Sequence, residues 1–437
     1  MNSASGWPLF LACARPKLEN DASTWLSRQI HNSEVDWERF LRRALRHGIA
    51  PLIYYNLTRV NLLSRLPVSA ARQLRLTYYY NAARNEVLYR TIERIQIIFN
   101  AAGIRVILLK GAALAGIVYS EKALRPMSDV DLLVRPEDLP SSERQLRQIG
   151  YVRFIERASP QPNENFEYHA VYVNKEQGVA TPRLEMHWNL DRQSRPFQVD
   201  IEGLWRRAMP VLIGGFEYAM LSPEDCLLHA CLHACKHGLT SLRSLCDISA
   251  IIEHWEERIE WRSLQARCHE WKVQNYAYLP LRLARDLFDT EIPASVLNNL
   301  KAGQFDSRVI ASAKRELLEA GTNAPTLSNR LDSWRVLDLW REQGLRQKLT
   351  ILSEALSSTV IMDRYSVGTR GKAWFYLPIR IIDLIRRHGG LHWRLLLRDK
   401  RETVTARRRA RLLTFLASFE EHWNARIQLD DGVRLGK

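Results

Sequence analysis

The pattern that most constrains this 437-residue chain is an alternation of acidic and apolar residues, Asp-Val-Asp-Leu-Leu-Val, from Asp129 to Val134. Successive side chains of a β-strand point to opposite faces, so the pattern predicts a strand with both carboxylates on one face and Val130 and Leu132 on the other. Two adjacent carboxylates repel each other unless a cation or a proton lies between them. The chain is therefore expected to fold around a sheet that concentrates negative charge at one point.

A second strand is predicted just upstream, where the apolar run from Ile104 to Leu109 is interrupted only by Arg105. The run is long enough for a buried strand and too short for a typical helix. Lys110 and Gly111 end it, and small, helix-favouring residues follow, so the glycine is predicted at a strand-to-helix corner. Such a corner suits phosphate, because glycine lets an anion approach the backbone and a helix N-terminus offers free N–H groups.

A third acid, Glu185, lies in the sequence Arg-Leu-Glu-Met-His-Trp. The same alternation places Glu185 and His187 on one face of a strand. If this strand lies beside the Asp129 strand, three carboxylates converge, and such oxygen ligands favour magnesium. A trio of this kind is suited to paired metal ions, about 3.5 to 4 Å apart, that stabilise the attacking and leaving oxygens in phosphoryl or nucleotidyl transfer. For His187 two interpretations stay open: a hydrogen-bonded, half-buried side chain, or a residue of the substrate cleft.

These motifs resemble the nucleotidyltransferase superfamily built on the DNA polymerase beta-like catalytic core. Its pattern is a hydrophobic strand, Gly-Gly or Gly-Ser at the start of a helix, an acid-apolar-acid-apolar strand, and a third acid on a later strand. The short sequences LKGAAL, DVDLLV and EMHW are most similar to those of a poorly characterised bacterial branch of that superfamily. One residue departs from the pattern, since Ala112 replaces the serine that contacts the nucleotide phosphate in many members.

The resemblance implies an α+β fold, with a small mixed β-sheet core flanked by N-terminal and C-terminal helical regions. It also implies an enzyme that moves a nucleoside monophosphate from an NTP, with ATP the first choice, to a hydroxyl, phosphate or similar acceptor. The family does not fix the acceptor, and a small molecule or peptide is favoured because no recognisable RNA-binding module accompanies the core. Pyrophosphate is released, and Mg²⁺ or Mn²⁺ is the expected cofactor. The residues implied for catalysis and metal binding are Asp129, Asp131 and Glu185. Those implied for nucleotide contact are Lys110, Gly111, Ala112 and Arg125.

Two other functions stay open on the sequence alone. One is a catalytically inert protein that keeps the fold, with the acids as structural relics, and binds nucleic acid. The other is a phosphotransferase, which would release a nucleoside diphosphate instead of pyrophosphate.

The rest of the chain is predicted to form three segments: a helical region over residues 1–100, the nucleotidyltransferase core over 101–221, and a helical domain over 222–437. Apolar residues recur at helical spacing in the first and third segments. Within the core, further strands are predicted near residues 151–155, 169–173, 183–188 and 216–221, with a helix over 135–150.

A well-marked helix is predicted after Ser222, which has the character of an N-cap, with Pro223 in the first turn. On this helix the histidines at positions 229, 233 and 237 form one stripe, with Asp247 on the next helix. Metalloprotease chemistry is excluded because no glutamate stands between the histidines. Two interpretations remain for His229, His233 and Asp247: packing with hydrogen bonds, or one wall of the substrate cleft.

The formal net charge of +15 is concentrated in one region. Residues 370–411 contain thirteen Lys or Arg and three acids, an excess of ten. This segment has three interpretations: a solvated basic face of packed helices, contact with nucleic acid, or contact with an anionic membrane surface.

The cellular compartment is predicted from what the sequence lacks. No apolar run approaches the roughly 18 residues that span a bilayer, and the N-terminal stretch has neither a basic lead nor a convincing cleavage site. The six cysteines do not show the close pairing of zinc knuckles. We therefore expect a cytoplasmic protein with reduced thiols and no zinc.

Overall fold

The computed structural model describes residues 6–18, 22–32, 35–154, 168–174, 182–191, 197–301 and 307–319, with residues 412 and 415. One compact unit contains Met1–Phe154, Tyr168–Lys301 and Leu317–Asn323, and a second contains the remaining segments. The basic segment 370–411 and the predicted loop 157–167 lie outside the described residues.

Helices make up most of the described part of residues 1–100, as the apolar spacing predicts. They are α1 (Trp7–Cys13), α2 (Ala22–Asn32), α3 (Trp37–His47), α4 (Ala50–Arg59) and α5 (Val68–Ala101). The Asp36 carboxylate caps α3 by accepting a hydrogen bond from the Arg39 N–H at 2.9 Å. Gly48 ends the same helix in the left-handed conformation, with φ of +67°, which glycine adopts without steric cost.

The described strands form one mixed sheet of seven strands in the order β3-β4-β5-β2-β1-β7-β6. The strands are β1 (Val106–Leu108), β2 (Asp129–Val134), β3 (Tyr151–Arg153), β4 (His169–Asn174), β5 (Arg183–His187), β6 (Met209–Ile213) and β7 (Phe216–Met220). Strand β2 pairs antiparallel with β1 and parallel with β5, and it is buried along most of its length. The predicted α+β class and mixed sheet are confirmed.

Strand β6 was not among the predicted strands, although the sequence carries a signal for it. Gly214 and Gly215 separate two apolar runs, and both have positive φ angles, +62° and +87°. Two consecutive residues of this conformation make the tight hairpin that joins β6 to β7. Pro210 is compatible with β6 because this strand lies at an edge of the sheet.

Helices also surround the strands. They are α6 (Lys110–Ala113), which continues into a π-helical turn (Leu114–Val118), then α7 (Leu139–Gln148) and α8 (Ile201–Arg207), of which α8 was not predicted. After the sheet come α9 (Pro223–Lys236), α10 (Leu242–His254), α11 (Trp261–Glu270), α12 (Gln274–Phe288), α13 (Ala294–Leu300) and α14 (Ser307–Glu319). Helix α9 begins as predicted, because the Ser222 hydroxyl accepts the Asp225 N–H at 3.3 Å.

The six cysteines are all buried and carry free thiols. Burial raises the pKa of the Cys13 thiol to about 12, so this thiol stays protonated at neutral pH. Within the described ranges, no helix has both the length and the apolar composition needed to cross a bilayer.

Candidate functional site

The register between β2 and β5 brings the acids together. These strands run parallel, and Asp131 lies directly opposite Glu185. Because side chains alternate, Asp129 lies on the same face as Asp131, and His187 on the same face as Glu185. One ligand atom from each of Asp131, Glu185 and His187 lies within 4.8 Å of the other two.

Lys110 provides the cation nearest to these acids. Its Nζ lies 2.5 Å from Asp131 Oδ1 and 3.6 Å from Glu185 Oε2. Burial lowers the pKa of Lys110, but the neighbouring carboxylates raise it more, so the ammonium stays charged at neutral pH. Its backbone has φ of +46°, an unfavourable conformation for a residue with a side chain. Strained residues of this kind cluster at functional sites, at a cost of roughly 1–3 kcal/mol each.

His187 is a buried partner of two carboxylates. Its Nε2 lies 2.9 Å from Asp131 Oδ1 and 3.4 Å from Glu185 Oε2. The carboxylate can only accept, so Nε2 carries the proton in this arrangement. The ring stacks on His169 with centroids 5.0 Å apart. Nδ1 has no hydrogen-bond partner among the described residues.

The three carboxylates differ in how well their charges are compensated. Burial raises the pKa of Asp131, but Lys110 and His187 hold it well below its usual value. The pKa of Glu185 is also lowered, since the His187 hydrogen bond and Lys110 together outweigh burial and the charge of Asp131. The pKa of Asp129 is raised by burial and by the charges of the other two acids. Asp129 is therefore the carboxylate that still lacks an adequate cation.

This cluster fits a divalent cation. Carboxylate oxygens suit Mg²⁺ and Mn²⁺, while an imidazole nitrogen extends the set toward other transition metals. A single ammonium faces three carboxylates, so added positive charge would relieve the repulsion that raises the pKa of Asp129.

Gly111 and Ala112 are buried behind the acids. A Cβ atom on Gly111 would overlap the Arg125 guanidinium and lie 2.8 Å from Met127 Cγ. The Tyr89 hydroxyl donates a hydrogen bond to the Ala112 carbonyl at 2.8 Å. Glycine is required at this position because side chains of the protein itself, those of Arg125 and Met127, occupy the space that a Cβ atom would need.

Arg125 is held by α10. Its Nη2 donates to Asp247 Oδ2 at 2.9 Å and its Nε to Asp247 Oδ1 at 3.3 Å. The Tyr119 hydroxyl donates to Asp247 Oδ1 at 2.8 Å, and all three side chains are buried. Asn85 on α5 supports the same loop by donating to the Arg125 carbonyl at 2.9 Å. Sequence reasoning missed Tyr119 and Asn85, because neither stands in a recognisable motif.

The histidine stripe of α9 reaches the same region. A cavity of about 20 Å³ is lined by Lys110, Arg125, His229, His233 and Asp247, among other residues. This volume admits about one water molecule. Burial, with the charge of Lys110, lowers the pKa of His229 to about 3, so the ring is neutral at pH 7. His237, the third member of the stripe, is exposed.

Comparison with known proteins agrees with this architecture. A family model described as an uncharacterised nucleotidyltransferase matches residues 33–289, more than half of the chain. Among solved structures, an antigenic nucleotidyltransferase-like protein from Paracoccidioides brasiliensis matches at 17% identity, with a TM-score of 0.28, over 47% of this chain and 96% of that one. The structural similarity to that protein is too low to indicate a shared function. None of the curated proteins matches. The family match covers more than half of the chain and includes every residue of the acidic cluster. The chain therefore belongs to this nucleotidyltransferase family.

Proposed function

We propose that the protein transfers a nucleoside monophosphate from an NTP, most simply ATP, to an acceptor on a small molecule or peptide, and that it requires magnesium. The observation that carries the proposal is the placement of Asp131 opposite Glu185, with Asp129 on the same face. Family membership supports the reaction class. A small molecule or peptide is the favoured acceptor because the sequence contains no recognisable RNA-binding module.

In this proposal Asp129, Asp131 and Glu185 hold the metal. A bound divalent ion supplies Lewis-acid stabilisation of the charge that develops on phosphate oxygens. His187 positions Asp131 through the 2.9 Å hydrogen bond from its Nε2. Lys110 contributes a permanent positive charge beside the acids, where a phosphate oxygen of the nucleotide would be stabilised.

The chemical step exchanges one P–O bond for another. An acceptor oxygen attacks the α-phosphorus, and the bond from that phosphorus to the bridging oxygen of pyrophosphate breaks. The acceptor proton passes to Glu185 or to solvent. Glu185 is ionised at neutral pH and can accept the proton, but its lowered pKa makes it a weak base, so solvent is the main final acceptor.

The proposal is tested with Asp131→Asn, which removes one charge without changing side-chain volume. We expect magnesium-dependent pyrophosphate release to fall by at least about a hundredfold, because a metal ligand and the partner of Lys110 and His187 are lost together. Turnover is measured with labelled NTP and a cell extract as the source of acceptor. Glu137→Gln, which changes an exposed carboxylate in the same core, is the matched control.

The products separate the alternatives. Release of nucleoside diphosphate would identify a phosphotransferase. Equal turnover in the wild type and in Asp131→Asn would contradict the proposed metal site. Binding without any turnover in the wild type would favour an inert binding protein.

A further inference from the structure

A second, larger cavity lies next to the acidic cluster. It has a volume of about 380 Å³. Its walls come from the turn between α3 and α4, from α5, from the loop before β2, and from the segment at the start of α10. All of these segments belong to one compact unit.

The charge of this cavity has one sign. Arg46, Arg84 and Arg243 line it, and no acidic residue is found among its described lining residues. The Arg84 guanidinium donates to the carbonyls of Met127 at 2.9 Å and Ser128 at 3.2 Å, so its position is fixed. A cavity lined by arginines attracts an anion and binds it through several N–H groups.

Asp247, one of the two carboxylates whose charges act on Arg243, is bound to Arg125 instead. Burial and the charge of Arg125 lower the pKa of Arg243, and Asp247 and Asp129 only partly offset these effects. The Nη1 atom of Arg243 would lie 3.1 Å from a Cβ atom on Gly48, so the guanidinium packs against the turn after α3. An arginine whose charge is compensated only in part is suited to an anionic ligand.

His47 is a buried residue behind the same wall. It is 1% exposed, and its Nδ1 accepts the N–H of Leu242 at 3.3 Å. Burial lowers its pKa to about 4, so at pH 7 the ring is neutral and its one proton is on Nε2. This Nε2 has no partner among the described residues. Because protein atoms enclose this nitrogen, an anion in the cavity would be held by the arginines and not by His47.

The cavity lies beside the loop that leads into the acidic strand β2. Met127 and Ser128 line it, and Asp129 follows them directly in the chain. Its described lining does not include Lys110, Gly111, Ala112 or Arg125, the residues expected to contact the nucleotide. A ligand in the cavity would therefore lie beside the loop that ends at Asp129 and would not contact the residues of that nucleotide corner.

We propose that this cavity binds an anionic group, a phosphate or a carboxylate, on the acceptor that receives the nucleotide. The assignment to the acceptor rests on the nucleotidyl transfer proposed above, whereas the binding of an anion does not. The acceptor is then an anionic small molecule or a peptide with an acidic end, held by Arg84 and Arg243.

The test uses the full-length protein with two probes, inorganic phosphate and a non-hydrolysable α,β-methylene analogue of ATP with Mg²⁺. Binding is measured by calorimetry at constant ionic strength. We expect phosphate to bind the wild type at millimolar concentration and about tenfold more weakly to Arg243→Gln, because a charge-assisted contact is lost. The analogue should bind both proteins equally. Arg90→Gln changes an exposed arginine on α5, the helix that carries Arg84; it is the control and should change neither affinity.

Each outcome decides the proposal. Equal phosphate affinity in the wild type and Arg243→Gln, or no phosphate binding at all, overturns the anion site. Parallel loss of phosphate and nucleotide affinity assigns the cavity to the triphosphate and overturns the acceptor assignment. If Arg243→Gln does not fold, Arg243→Lys, which keeps the positive charge, replaces it as the test variant. Phosphate binding is measured without turnover. The effect of Asp131→Asn on catalysis therefore tests the proposed reaction and not the anion site.

Discussion

The space beside the Gly111 Cα atom is filled by the side chains of Arg125 and Met127. From sequence alone this glycine was expected to admit a phosphate to the backbone. Its φ angle is not positive, so the backbone itself tolerates other residues. The steric limit comes instead from Arg125, which cannot move aside cheaply because it is bound to Asp247.

Gly111→Ala is therefore expected to destabilise the protein by about 1–3 kcal/mol, the usual cost of overpacking a buried site. Urea denaturation measures the effect. Gly6→Ala is the control, because its added Cβ would meet Arg43 Nη1 at an ordinary 3.8 Å. Unchanged stability of Gly111→Ala, together with weaker nucleotide binding, would restore the view that this glycine serves an approaching phosphate.

Helix α10 is joined to the nucleotidyltransferase sheet by a buried polar cluster. Asp247 accepts hydrogen bonds from Arg125 and from Tyr119, and both partners belong to the segment between β1 and β2. The charge of Asp247 raises the pKa of Arg125 above its usual value despite burial. The cluster therefore fixes the loop that leads into the acidic strand by anchoring it to a helix far along the chain.

Asp247→Asn should leave the buried Arg125 without its counterion and cost about 3 kcal/mol of stability. Tyr119→Phe removes only a hydrogen bond and should cost about 1 kcal/mol. Both values are measured by chemical denaturation. Glu86→Gln breaks an exposed ion pair on α5 and should change stability by less than about 0.5 kcal/mol. Equal effects of Asp247→Asn and Glu86→Gln would show that the buried pair contributes little.

Buried neutral histidines make the stability of the whole molecule depend on pH. Burial and two nearby arginines lower the pKa of His47 to about 4, against an ordinary value of 6.5. Between these values the unfolded chain binds a proton that the folded protein does not, so stability falls as the pH falls from 6.5 toward 4. Glu253 acts in the opposite direction, because burial raises its pKa to about 7. The contribution of His47 must therefore be isolated by comparing variants.

His47→Asn should flatten this pH dependence. The asparagine Oδ1 can accept the Leu242 N–H in place of Nδ1 but does not titrate. Between pH 7 and pH 5 we expect the wild type to lose about 2 kcal/mol more stability than the variant does. The free energy of unfolding in urea at both pH values measures the difference. His31→Asn, on an exposed part of α2, is the control, and identical pH dependence in wild type and His47→Asn would contradict the assignment.

Local patterns predicted much of the element structure. The period of two placed Asp129 and Asp131 on one face of a strand, and the spacing of apolar residues predicted α5 and the helices after the sheet. The cap at Ser222 and the stop at Gly48 were readable for the same reason, since each depends on a few neighbouring residues.

The sequence by itself determined the α+β class, the acidic strand and the family resemblance, because these follow from side-chain periodicity and short motifs. Only the tertiary structure decided which groups meet. Glu185 lies opposite Asp131 through strand pairing, and Arg125 binds Asp247 across 122 positions of the chain. Pairings of this kind depend on the packing of distant elements, so no local spacing encodes them. The arginine-lined cavity has the same origin, because four separate segments build it.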